Sequence, residues 1–276
     1  MKMFNKAVII GTGLIGGSLG LALKKKKLVQ TIFGLSFHQK NARLAKKIGA
    51  IDLIAKDLEV VRDADLVILA TPVESIIDIA WRIKDKLQKD CIVIDVGSTK
   101  EEVVSKLNSV ISNFIGCHPL AGSEKRGIAN LESDIFNGSV CILTPTALTN
   151  KKALNKIKAF WTKLGTEIVI ISPEKHDQAL ACTSHLPHAI AFTLINSIPE
   201  KFLSLSSKGL RDVTRISSSD ANLWAQIFLS NRNNLLSAIS SFQKKFTVLK
   251  LAMKNKDKAL LKKILKEGNK KRKRLG

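Results

Sequence analysis

The chain has 276 residues, 45% of them apolar, and a formal net charge of +22, which is enough for one large domain or two modest ones whose cores need no staples. No uninterrupted apolar run reaches the roughly 18 residues of a membrane span, and MKMFNKAVIIGTG lacks a long apolar stretch ending in a small-residue cleavage site, so neither a membrane segment nor a signal peptide is expected and the cytoplasm is the expected compartment. Cys91, Cys117, Cys141 and Cys182 are far apart and form no CxxC, so they read as reduced packing residues, and the lysine excess lacks interleaved aromatics, so it reads as a solvated surface attracting anionic metabolites rather than a nucleic-acid or membrane site.

In chain order, short β-branched runs alternate with helical patterns: AVIIG at 7–11, TIFGL at 31–35, LVILA at 66–70, CIVIDV at 91–96, FIGCH at 114–118, SVCILT at 139–144 and TEIVII at 166–171. Runs that are apolar throughout, separated by amphipathic segments such as ESIIDIAWRIKDKL, predict a parallel sheet buried on both faces, hence a doubly wound Rossmann-type α/β domain over 1–171. The four lysines at 24–27 fall where the first helix should end. Ser172 and Pro173 form an N-cap and N1 pair, and 172–276 reads as an all-α substrate and dimerisation domain with a basic tail. Asp220 should cap a long helix on which Phe228, Leu235, Ile239, Phe242, Phe246, Leu249 and Met253 make a narrow seam, predicting a homodimer.

Several stretches carry chemistry. Gly11, Gly13 and Gly16 form GxGxxG directly after the first strand, with Leu14 and Ile15 opening the following helix, which predicts a dinucleotide diphosphate on the helix N-terminus. The second strand ends in Ser36 where an acid would hold the adenosine ribose; His38, Lys40 and Arg43 follow, so NAD and NADP both stay open. ATPV (70–73) and DVGSTK (95–100) offer Thr71, Pro72 and Ser98 at strand ends facing the cofactor. In GCHPLAGSEKRG (116–127), His118 stands where it could accept a proton from an alcohol being oxidised, although a lone histidine also has a packing reading. GLRDVTRISSSDANLW (209–224) supplies Arg211, Arg215 and Trp224, suited to a planar carboxylate or, alternatively, to surface charge and core packing. In SHLPH (184–188), Pro187 removes an amide that would bond the Thr183 carbonyl and should kink the helix begun at Pro173. No third ligand accompanies the two histidines, so no metal is expected.

Taken in order and spacing from about residue 6 to residue 250, GTGLIGGSLG, ATPV, DVGSTK, GCHPLAGSEKRG, DQALACTSHLPH and LRDVTRISSSDANLW closely resemble the prephenate dehydrogenase family. The resemblance implies oxidative decarboxylation of prephenate to 4-hydroxyphenylpyruvate in tyrosine biosynthesis, or of its amino analogue arogenate to tyrosine, with NAD or NADP. It further implies His118 as acceptor for the ring hydroxyl, with Ser98 positioning both, and Arg215 on a substrate carboxylate. His188 would meet the pyruvyl side chain, Ser184 and His185 would line the pocket, and Trp224 would close it from this subunit or its partner. Ser123 and Glu124 match a gating loop. A β-hydroxyacid dehydrogenase-like or pyrroline carboxylate reductase-like enzyme shares the domain plan, but SHLPH and DVTRI argue against it. A catalytically dead nucleotide sensor would have no need of His118, Ser98 and Arg215 together.

Overall fold

A computed structural model describes residues 2–121 and 131–275. Eight strands form one sheet: β1 Phe4–Ile10, β2 Val29–Leu35, β3 Leu53–Ile54, β4 Leu66–Leu69, β5 Ile92–Asp95, β6 Phe114–Pro119, β7 Val140–Leu143 and β8 Glu167–Ile170, in the order β3-β2-β1-β4-β5-β6-β7-β8. The helices of this region are α1 Leu14–Lys25, α2 Gln39–Lys47, α3 Val73–Ile83, α4 Glu101–Leu107 and α5 Lys151–Lys163. Alternation along each strand sends successive side chains to opposite faces. Ile9, Leu66, Ile68 and Ile94 enter a core shared with Leu19, Leu23, Phe160 and Trp161, whereas Val8, Val67, Leu69 and Val93 enter one shared with Ile76, Ala80, Val104 and Leu107. Burial on both faces is why these strands are apolar throughout.

All seven strand-like runs are strands, and the structure adds the two-residue β3, too short to leave a pattern. The expectation of a wholly parallel sheet needs one correction. β6 and β7 run antiparallel, with Cys117 opposite Leu143 and His118 opposite Ile142. A parallel partner requires a crossover element, and among the described residues between these two strands there is no helix or strand. Lys24 and Lys25 lie in the last turn of α1, as the charge pattern suggests.

After β8 every element is helical: α6 Pro173–Leu180, α7 Leu186–Asn196, α8 Lys208–Thr214, α9 Ala221–Ser230, α10 Arg232–Lys254 and α11 Lys258–Arg272. Ser172 caps α6, accepting from the Lys175 amide at 3.3 Å, with Pro173 in the first turn. Although strands give way to helices at 171, the compact units divide later, into 1–231 and 232–276, because α6 is bound to the start of α4 by hydrogen bonds described below. The predicted long helix from Asp220 is two helices. Asp220 caps α9 through the Leu223 amide, but the helical path breaks at Asn231, whose side-chain amide reaches the Asp177 carbonyl at 2.7 Å and His185 Nδ1 at 3.1 Å. By itself, the 232–276 unit is a pair of helices; Phe242 and Phe246 stack on α10 with centroids 5.9 Å apart and are exposed, as are Leu236, Leu251 and Met253. Among the described residues no helix is long and apolar enough to cross a membrane.

Candidate active site

Strand order reverses between β1 and β4, and open α/β sheets bind ligands in the crevice at such a switch point. Gly11 has φ of +101°, and a Cβ there would lie 2.4 Å from the Ala70 carbonyl oxygen; a Cβ on Gly16 would lie 2.0 Å from the Gly11 carbonyl oxygen. Both glycines are demanded by the chain's own packing. Gly13, the N-cap of α1, is different, since a Cβ added there meets nothing within 4 Å among the described residues. Leu14 and Ile15 open α1, which has no acidic residue in its first turn and no side-chain cap, so its first amides face an open space suited to an anion. At the end of β4, Thr71 Oγ1 is buried without a hydrogen-bond partner among the described residues, and Pro72 is the N-cap of α3. An open cradle, a bare helix start and an orphan hydroxyl fit a dinucleotide diphosphate. Ser36 is half-buried directly after β2, and His38, Lys40 and Arg43 are exposed beside it.

The next two strands carry the polar centre. The loop after β5 is closed by Lys100, fully buried, whose Nζ donates to Asp95 Oδ2 at 2.6 Å and to the carbonyls of Gly97 and Thr99 at 2.7 and 2.9 Å. Ser98 sits half-buried between those two carbonyls, at the end of the strand neighbouring β6. On β6, His118 retains partial exposure and places Nδ1 2.8 Å from His176 Nε2; His176 Nδ1 lies 2.7 Å from Asp177 Oδ1. Asp177 also accepts the backbone amides of Lys100 at 2.8 Å and Glu101 at 3.0 Å, which start α4. Burial, then the nearby His176, Lys100 and His185, hold His118 well below the ordinary imidazole value. Burial also lowers His176, against the opposing pull of Asp177. His118 is therefore neutral at physiological pH and free to accept a proton.

His176 and Asp177 escape the sequence reading. Their only signal is an HD pair in the second turn after Ser172, just ahead of the SHLPH run.

That run forms a wall. Between α6 and α7 the helix widens into a π turn over Ala181–His185, closed by the Leu186 amide bonding the Ala181 carbonyl, five residues back. Pro187, lacking an amide, follows at once, so the predicted kink is realised as a π turn, a feature often found at functional sites. His188 Nδ1 donates to the Ser184 carbonyl at 2.9 Å, and its ring stacks on Trp224 with centroids 3.5 Å apart and planes at 20°. Trp224 comes from α9 of the same chain, so no partner subunit is needed to bring it against His188. His185 is 1% exposed, bonded to Asn231 and edge-on to Trp224, which places it behind the wall instead of on its surface. Arg215 is exposed at the end of α8, on a turn over Arg215–Ser218 that packs against α7. Ser123 and Glu124 lie outside the described residues. Among the described residues no group of three or more metal-ligating side chains gathers.

The family model described as "Prephenate dehydrogenase, nucleotide-binding domain" matches residues 19–170, and "Prephenate dehydrogenase, dimerization domain" matches 172–267. The chain is 35% identical to a cyclohexadienyl dehydrogenase of Zymomonas mobilis, covering 99% of this chain and 96% of that one, and 32% identical to a prephenate dehydrogenase of Bacillus subtilis, covering 93% and 72%. Its structure is similar to a prephenate dehydrogenase from A. aeolicus solved in complex with hydroxyphenyl propionate and NAD+, with a TM-score of 0.93, 34% identity, and coverage of 99% of this chain and 98% of that one. With both halves matched and relatives above 30% identity along nearly its whole length, the chain belongs to the prephenate dehydrogenase family.

Proposed function

We propose that the protein catalyses oxidative decarboxylation of prephenate to 4-hydroxyphenylpyruvate, with arogenate as the alternative substrate of the same site. The observation that carries this reading is the neutral, partly exposed His118 at the end of β6, in a crevice whose glycine turn and orphan Thr71 hydroxyl fit a dinucleotide. The turn at Gly11, Gly13 and Gly16, with Leu14, Ile15, Thr71 and Pro72, would hold the diphosphate. A bound nicotinamide supplies the hydride acceptor. His118 accepts the proton of the ring hydroxyl as that carbon is oxidised, while Ser98 orients the hydroxyl. Loss of the ring carboxylate as carbon dioxide then sends its electron pair through the ring to the carbonyl oxygen, which takes the proton back from His118 as the ring becomes aromatic, so no metal is called for.

A dianionic substrate needs fixed cations and donors. Arg215 meets a carboxylate, most simply the ring one, and His188, braced by Trp224 and by its bond to Ser184, presents Nε2 to the pyruvyl side chain. Residues 1–171 serve the cofactor and 172–276 the substrate and a homodimer contact. Ser36 leaves no carboxylate against a 2′-phosphate, and Lys40 and Arg43 nearby are cationic, with His38 between them and Ser36, which supports use of NADP as well as NAD.

The test is a pair of variants in a steady-state assay. His118→Asn is expected to reduce kcat by about 1,000-fold with the NAD Kd within about 2-fold, and Arg215→Gln to raise the KM for prephenate at least about 10-fold with a smaller effect on kcat. Wild-type turnover by the histidine variant would remove the base from the account.

A further inference from the structure

We propose that His176 and Asp177 are positioning residues for the reaction, fixing the tautomer of His118 so that its Nε2 is the bare, proton-accepting atom. This role rests on His118 being the base and otherwise on which atoms can donate and which can accept. Asp177 accepts three donors: the Lys100 and Glu101 amides at 2.8 and 3.0 Å and the ring nitrogen Nδ1 of His176 at 2.7 Å. Backbone amides only donate, so they pin the carboxylate at the start of α4 and leave it an acceptor toward His176. His176 must then carry its proton on Nδ1. In a neutral imidazole the other nitrogen is an acceptor, so His176 Nε2 receives Nδ1–H of His118 across 2.8 Å. The last nitrogen, His118 Nε2, is left with a lone pair.

Burial supports the neutral state of the relay: His176 is fully buried and held below its ordinary value. The other charged groups around the two rings do not compete for these bonds. Lys100 Nζ is consumed by Asp95 and two carbonyls, and His185 is turned to Asn231. The arrangement also gives the proton taken up by His118 Nε2 a counterweight, because the imidazolium formed there donates into His176, which donates in turn to the Asp177 carboxylate. It resembles in logic a serine-protease triad in which an aspartate holds a histidine in its working tautomer, here with a second histidine interposed. The relay couples α6 to β6 and α4, three elements from separate parts of the chain, and so belongs to no single motif.

Asp177→Asn tests it directly. Asp177 Oδ1 accepts both the Lys100 amide and His176 Nδ1 while Oδ2 accepts the Glu101 amide, so an Asn side chain sets its NH2 group against a donor in either orientation and is a weaker, displaced acceptor for His176, which loosens the tautomer of both rings. Histidine-selective 15N spectra of the wild-type full chain are expected to show His118 protonated on Nδ1 and bare on Nε2, and Asp177→Asn to populate the opposite tautomer as well. In the same variant kcat is expected to fall by about 10-fold or more, with the cofactor KM within about 2-fold. His176→Gln, which keeps an acceptor near the Nε2 position, should retain more activity than His176→Leu by at least about 10-fold. A wild-type His118 protonated on Nε2, or a folded Asp177→Asn enzyme with kcat within about 3-fold of wild type, would overturn the proposal. Should Asp177→Asn fail to fold, the wild-type spectrum and the His176 pair still decide it. The spectra do not depend on turnover, so a mistaken role for His118, exposed by His118→Asn, is distinguishable from a mistaken tautomer.

Discussion

His185 bears the clearest cost of building a wall from histidines. Burial depresses its pKa from 6.5 to about 4, outweighing the favourable pull of Asp177. The sign follows from linkage: the unfolded chain binds a proton near 6.5 that the folded site refuses, so the contribution to stability is complete above that pH and is lost as pH falls toward 4. A shift of that size is worth on the order of 3 kcal/mol, and His118 and His176 act in the same direction. Urea unfolding between pH 7 and pH 4 should therefore show a steep loss of stability that is shallower in His185→Gln; parallel curves would mean that His185 is not neutral in the fold. At this scale the sequence was legible where chemistry and chain position coincide, as for His118 at a strand end and Ser98 in a strand-end loop. It was not legible for His176 and Asp177, because their meaning depends on partners at residues 118, 100 and 101 that only tertiary packing brings near.

Elements were readable where their cause is local. The glycine turn after β1 follows from close approaches within one strand-turn-helix unit, and it separates two roles that the pattern alone merges. Gly16→Ala would drive a methyl group into the Gly11 carbonyl and should destabilise the fold by several kcal/mol, on the order of an overpacked core site. Gly13→Ala meets no atom within 4 Å among the described residues, so its Tm should stay within about 2 °C of wild type while the cofactor KM rises by about 10-fold or more, the methyl occupying the diphosphate's space. A normal cofactor KM in a folded Gly13→Ala enzyme would take the diphosphate off this turn. The two helix predictions that changed did so for long-range reasons. Pro187 forecast a disturbance, but the π turn before it also seats His185 against Asn231. Asn231 interrupts an otherwise regular apolar seam because its side chain serves Asp177 and His185, 54 and 46 residues away. The antiparallel β6–β7 pairing was likewise invisible in two apolar runs that look alike in either direction.

Across the whole molecule, the apolar seam and the charge are what remain uncovered. Exposed Phe242 and Phe246 on α10 are poor surface residues for an isolated chain, and the dimerization-domain match covers them. We expect light scattering to give twice the chain mass for wild type and a shift toward the monomer for the double variant Phe242→Ser with Phe246→Ser; an unchanged dimer would place the contact elsewhere. The net charge of +22 should draw a dianionic substrate toward the protein, an effect that salt would weaken. The reaction itself is open to a single measurement, nicotinamide reduction followed together with carbon dioxide release for prephenate and for arogenate, each with NAD and with NADP. Stoichiometric reduction and decarboxylation are expected in at least one prephenate combination; silence in all four, from folded protein that binds the cofactor, would contradict the assigned reaction.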